Sequence, residues 1–125
     1  MFLKSNNIFV GIDIEDVSKF KSIKNKKHIF TKSEIDYCEH TANKAEHYTG
    51  KWCAKEAIIK AIYMIGNIEK TYTPRDEIEV LNDDTGVPYI NVKNKYLNKK
   101  YNISISISHT KKYACAIALV TRKWA

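Results

Sequence analysis

The chain has 125 residues, 44% of them hydrophobic and 28% charged, and 21 Lys+Arg against 14 Asp+Glu give a formal charge of +7. That is the size of one domain, residues 1–125, with enough apolar material for a core. Four Gly, 2 Pro and 3 Cys exclude collagen-like, low-complexity and disulfide-scaffold classes. The odd number and wide spacing of Cys38, Cys53 and Cys115 point to free thiols in a reducing compartment. No apolar run approaches the roughly 20 residues of a membrane span. Met1 to Phe9 lacks the continuous apolar stretch of a signal peptide. A cytoplasmic protein with no membrane partner is expected, and its positive excess implies an acidic or phosphate-rich one.

In chain order, Ile8 to Ile14 is apolar and β-branched and reads as a strand ending in acids. Asp16 to Lys27 is lysine-rich, a short helix and a loop. Thr31 with Glu34 three residues on is a capping-box pattern that opens a helix. Asn43 to about Ile65 is the longest helical candidate. Ala54, Ala57, Ile58, Ala61, Ile62 and Ile65 recur there at three and four, with Glu56 and Lys60 nearly opposite. After Pro74, Glu77 to Leu81 and Val87 to Val92 form a hairpin about the turn Asn82 to Gly86. Asn94 to Lys100 is a short helix or loop. Ile103 to Ile107 alternates with period two, Ser108 to Lys112 turns, and Tyr113 to Val120 closes the chain as an apolar strand. The class is α+β, an antiparallel sheet packed on a long central helix.

Three constellations carry chemistry. Asp13 and Glu15, two apart on a strand, share a face, and such oxygen ligands suit a hard cation such as magnesium. Equally, they are ordinary acids at a strand-to-helix junction. Glu56 and Lys60, four apart, are either a surface ion pair or a carboxylate and an ammonium projected together for a metal and a phosphate. His109, between Ser108 and Thr110, ends a strand where it can hold a phosphate or move a proton, or is simply a polar turn residue. A zinc site from Cys38, His40, His47 and Cys53 has the wrong spacing.

Together, in order and spacing, these segments resemble the 4′-phosphopantetheinyl transferases, and within them the small holo-acyl-carrier-protein synthase branch. Gly11-Ile12-Asp13 matches the family's G-x-D strand. Glu56 follows Asp13 by 43 positions within Trp52-Cys53-Ala54-Lys55-Glu56-Ala57-Ile58-Ile59-Lys60, which matches [FW]-x-x-K-E-x-x-x-K. Phe30-Thr31 to Tyr37 resembles the family's F-T/L-T-x-x-E-x-x-Y segment. Asp76 to Val80 with Gly86-Val87-Pro88 resembles its D-I-E-I…G-K-P hairpin, and Ser106 to Thr110 with Tyr113-Ala114 its closing hairpin. The resemblance spans nearly the whole chain.

It implies transfer of 4′-phosphopantetheine from coenzyme A to a serine of an apo acyl carrier protein, releasing adenosine 3′,5′-bisphosphate. It implies catalytic Asp13, Glu56 and Lys60, with Mg2+ on Asp13 and Glu56. Glu15 becomes a third candidate ligand, because Asp-x-Glu is typical of the larger branch of the family. Lys44, Lys55, Lys60, Gly86, Pro88, Ser108, His109 and Thr110 would contact coenzyme A. Lys19, Lys21, Lys24 and Lys26 would face the acidic carrier. A homotrimer with sites at subunit interfaces is implied as well. Lys19, Lys51 and Val87 stand where the family usually has arginine, arginine and lysine. A basic nucleic-acid-binding module would account for the charge but not for the acids in family register, and it lacks any reading motif. A magnesium nuclease would need a Glu-x-Lys that the chain does not contain. No nucleic-acid partner is expected.

Overall fold

The computed structural model describes residues 7–22, 24–66, 75 and 77–123. Expectations for Met1 to Asn6, Pro74 and Asp76 lie outside them. The elements are strand β1 (Ile8–Asp16), helix α1 (Lys32–Glu39), helix α2 (Lys44–Ile65), strands β2 (Ile78–Asn82) and β3 (Pro88–Val92), helix α3 (Lys95–Lys100), and strands β4 (Tyr101–His109) and β5 (Tyr113–Arg122). Two short 3-10 turns, Val17–Phe20 and Lys26–His28, occupy the lysine-rich segment.

The strands pair antiparallel as a three-stranded sheet ordered β1-β5-β4 and a separate hairpin β2-β3. The hairpin expected between Glu77 and Val92 forms the second sheet by itself. Asp13 lies opposite Ala116, which lies opposite Ile107. Strand β4 runs two residues beyond the alternating stretch at each end, because Tyr101 and His109 still pair with β5. The expected capping box is present: Glu34 N donates to Thr31 Oγ1 at 3.3 Å and Thr31 N to Glu34 Oε1 at 2.7 Å. Gly86, at φ +88°, takes the left-handed position of the β2-β3 turn, which a side chain would strain.

Helix α2 crosses one face of the sheet diagonally. Gly50 lies against Ile107 on β4, the Cys53 thiol donates to the Ala114 carbonyl on β5, and Ala57 and Ala61 sit on Gly11 of β1. The apolar stripe read from spacing is the buried one: Ala54, Ala57, Ile58, Ala61 and Ile62 join Phe9, Ala116, Ala118 and Val120 in the main core. A smaller cluster of Phe20, Phe30, Cys38 and Tyr48 packs beside Trp52. Burial pushes the Cys38 and Cys53 thiols up to about 12, so both stay protonated and structural.

The opposite sheet face is uncovered. Ile12 and Ile14 are 63% and 64% exposed, and Ile8, Val10, Tyr113, Ile117 and Leu119 are exposed beside them. No described helix is long and apolar enough to cross a membrane.

Candidate active site

The acid cluster forms where α2 touches β1. At Gly11 an added Cβ would lie 1.8 Å from the Ala57 carbonyl oxygen. Only a glycine lets the helix approach that closely. The face that buries Gly11 also carries Asp13 and Glu15, two and four residues on, as the period of a strand requires. One turn after Glu56, Lys60 reaches back across the gap. Its Nζ donates to the Ile12 carbonyl at 3.0 Å and to Asp13 Oδ1 at 3.1 Å. Asp13 Oδ2 is buried with no hydrogen-bond partner, a costly state for a carboxylate oxygen unless a ligand completes it.

Each acid in the cluster has its own cation. Asp13 has Lys60. Glu15 pairs with Lys19 at 2.7 Å, and that contact raises the lysine's affinity for its proton. Glu56 Oε1 accepts from Nε and Nη2 of Arg75, both at 2.7 Å. Arg75 is absent from the motif-based residue set. Its one advance signal is scarcity, since arginine supplies only two of the 21 basic residues. Among the described residues no three His, Cys, Asp or Glu side chains converge as a metal cage. Glu15, the third candidate ligand, accepts from Lys19 through Oε2.

Lys55 is a correction. Expected to reach coenzyme A phosphates, it is fully buried with Glu34, at 2.8 Å. Its Nζ also donates to the carbonyls of Arg75 and Ile78, at 2.7 and 2.6 Å. Three protein acceptors thus surround the Lys55 ammonium. Lys55 instead ties α2 to α1 and to the entry of β2. Neighbours in sequence, Lys55 and Glu56 both hold residue 75, one by its backbone and the other by its side chain.

A second group lies at the other end of α2. His109 Nδ1 sits 3.1 Å from Glu46 Oε2, and its ring meets that of His47 at 5.6 Å. Burial holds His47 below the usual histidine range, which favours its neutral form. A cavity of about 130 Å³ opens between His109, Glu46, Lys51, Tyr37, Gly86 and Pro88. The structure thus brings the expected Gly86, Pro88 and His109 together and adds Glu46 and His47, for which the sequence offers no signal. Lys51 Nζ donates to the Val80 carbonyl and to Asn82 Oδ1, both at 2.7 Å, and desolvation lowers its pKa. Ser108 and Thr110 border a shallow pocket with Ile14 and Tyr113. Ten residues separate Glu46 from Glu56, about 15 Å along the helix, so the two groups are not one pocket in a single chain.

Of the remaining lysines, Lys21 and Lys24 are exposed. Lys26 bonds Glu39 at 3.1 Å and lies over the Tyr48 ring, while Lys44 reaches the same carboxylate at 3.5 Å. Lys21 and Lys44 line one groove with Lys111.

A phosphopantetheinyl transferase is the class that this fold and acid cluster define. Residues 9–118 match the family model of the 4′-phosphopantetheinyl transferase superfamily. A holo-[acyl-carrier-protein] synthase of Fusobacterium nucleatum is 41% identical, over 90% of this chain and 98% of that one. One from Geobacter sulfurreducens is 31% identical over 90% and 95%. Among solved structures, the ACPS–CoA complex from Chronobacterium ammoniagenes superposes with a TM-score of 0.78 at 26% identity, covering 94% and 98% of the two chains. The Mycobacterium tuberculosis acyl carrier protein synthase gives 0.75 at 28% identity, covering 92% and 97%. The chain belongs to the 4′-phosphopantetheinyl transferase superfamily, and is of the holo-[acyl-carrier-protein] synthase type.

Proposed function

We propose that the chain, as one domain, transfers 4′-phosphopantetheine from coenzyme A to a serine hydroxyl of an apo acyl carrier protein in fatty-acid synthesis, working in the cytoplasm with Mg2+. The observation that carries this reading is the buried, unpartnered Asp13 Oδ2, on a carboxylate whose other oxygen accepts from Lys60, one helical turn from Glu56. Carboxylate oxygens at a half-open cluster fit a hard cation that keeps waters and substrate phosphates as its other ligands. Asp13 and Glu56 would hold it, and when bound it supplies charge neutralisation on the pyrophosphate. Glu15, whose Oε2 accepts from Lys19, is the third candidate ligand.

The chain's own groups do the rest. Lys60 stands as a point charge against the pyrophosphate. Glu56 would take the proton as the serine oxygen attacks phosphorus. The new P–O bond forms as the bond to adenosine 3′,5′-bisphosphate breaks, and the charge developing on that leaving group is offset by Lys60. His109, Thr110, Ser108, Gly86, Pro88 and Lys44 hold the nucleotide end. Lys19, Lys21, Lys24 and Lys26 steer the acidic carrier, an attraction that weakens with salt.

A homotrimer gives the uncovered sheet face its role. Ile8, Val10, Ile12, Ile14, Ile117 and Leu119 lie exposed together on that face, and a contiguous apolar patch of this kind marks an interaction surface. Packing against further copies buries it and brings one chain's acid cluster to another chain's His109 group across the boundary.

Incubating the protein with Mg2+, coenzyme A and a panel of apo carriers, followed by intact-mass measurement, is the test. One phosphopantetheine is gained on the carrier serine; no gain with any carrier sinks the proposal.

A further inference from the structure

The three cations that balance the acid cluster are not equivalent. Lys60 and Lys19 are long, mostly exposed side chains, each making one ionic contact to its acid. Arg75 is the most sequestered, with its side chain 29% exposed. Two of its nitrogens converge on one oxygen of Glu56. Its guanidinium lies 4.9 Å from the centre of the Trp52 ring, on the same helix one turn before Glu56. Its carbonyl is fixed by the buried Lys55 ammonium, which Glu34 anchors in turn. The residue is held at the backbone, placed over the Trp52 ring and hydrogen-bonded along its edge. That is a preorganised, half-buried cation whose charge-assisted bonds to Glu56 are geometrically fixed.

Resting on the reading of Glu56 as a metal ligand, we infer that Arg75 is a built-in placeholder for the divalent cation. It neutralises and orients the Glu56 carboxylate in the empty enzyme and is exchanged for the metal on loading. Both Arg75 nitrogens occupy Glu56 Oε1, so a hard cation that takes that oxygen, alone or with its neighbour, competes with the guanidinium for its lone pairs. Arg75 is therefore a positioning residue that sets how tightly the metal binds before coenzyme A arrives. The stack on Trp52 does not involve Glu56, so the displaced guanidinium has a place to remain.

The chain contains only two arginines, Arg75 and Arg122, so a 15N spectrum of arginine Nε–H groups holds two signals, and Arg75→Lys assigns them. Titrating Mg2+ into the protein without coenzyme A moves the Arg75 signal toward that of a solvated guanidinium and leaves Arg122 in place. In parallel, Mn2+ binding followed by its electron paramagnetic resonance signal is about tenfold tighter in Arg75→Gln than in the wild type, as expected for removal of a competing charge-assisted contact. Arg75→Lys, which offers a point charge instead of a fork, falls between the two. An unmoved Arg75 signal, or equal or weaker Mn2+ binding in both variants, overturns the inference. Glu56→Gln separates the two levels: if it loses Mn2+ while the Arg75 variants bind as the wild type does, only the placeholder role fails. If Glu56→Gln binds Mn2+ normally, the metal-ligand reading fails and the placeholder with it.

Discussion

Gly11→Ala adds a single methyl group at the contact that builds the site. The backbone at Gly11 is outside the left-handed region, so with open space alanine would be neutral or stabilising by about 0.4–1 kcal/mol through the unfolded chain. Space is absent. The new Cβ would sit 1.8 Å from the Ala57 oxygen, 2.8 Å from its carbonyl carbon and 2.9 Å from the Ala61 nitrogen. All three are helix backbone, which cannot rotate away as a side chain does. Restoring an ordinary contact of 3.4 Å requires α2 to retreat from β1 by roughly 1.6 Å. That retreat opens the packing of Phe9, Ala57, Ala61 and Ala118 and pulls Lys60 away from Ile12 and Asp13. Overpacking against adaptable side chains costs about 1–3 kcal/mol, so a rigid backbone places this substitution at about 3 kcal/mol or more, out of a total of roughly 5–15. Thermal unfolding should fall by about 10–15 °C, and transferase activity should drop further than the folded fraction does, because the acid cluster is misaligned. A stability loss below about 1 kcal/mol with normal turnover would refute the reasoning, since it would mean that α2 does not rest on Gly11.

Lys55→Met leaves Glu34 buried without its counter-ion and should destabilise by about 3–5 kcal/mol. Adding Glu34→Gln should recover part of that, as read by urea unfolding, and KM for coenzyme A should stay unchanged at a temperature where the variant is folded. Tyr48 and Lys26 hydrogen-bond the Glu39 carboxylate and lower its pKa from 4.5 to about 2. A depressed carboxylate stabilises the fold above its unfolded value and loses that contribution as pH falls through the folded one. Acid titration between pH 4.5 and 2 should therefore show a stability loss that Tyr48→Phe reduces. Ile12→Asp places a charge in the middle of the uncovered sheet face and should convert a trimer to monomers in light scattering, with loss of transfer, while leaving the monomer fold intact by circular dichroism.

Much of this protein is legible in the chain alone. Period-two alternation marks β4, the three-four recurrence of Ala57, Ile58, Ala61 and Ile62 marks the buried side of α2, and Thr31 with Glu34 marks the start of α1. These signals are local, carried by residues within one or two turns of each other, and the folded chain keeps them. The proximity of Asp13 and Lys60 was readable too, but only through family register, because 47 residues separate them and no local rule brings them together.

Where the ammonium and guanidinium groups point was a different matter. Lys55 and Lys60 are chemically identical and one and a half turns apart on the same helix, yet one is enclosed by Glu34 and two carbonyls and the other meets solvent and Asp13. A lysine's stem is apolar and its head charged, so its environment depends on what packs above it, here an acid from α1 and a turn before β2. The same holds for Arg75, whose partner Glu56 is 19 residues back, and for the charge of +7, which as a sum is silent about which cations are already paired. The sequence alone determined the elements and the family, and pointed to the acids. Tertiary structure decided which cations those acids already hold, because pairing across the fold depends on distances that composition and spacing do not contain.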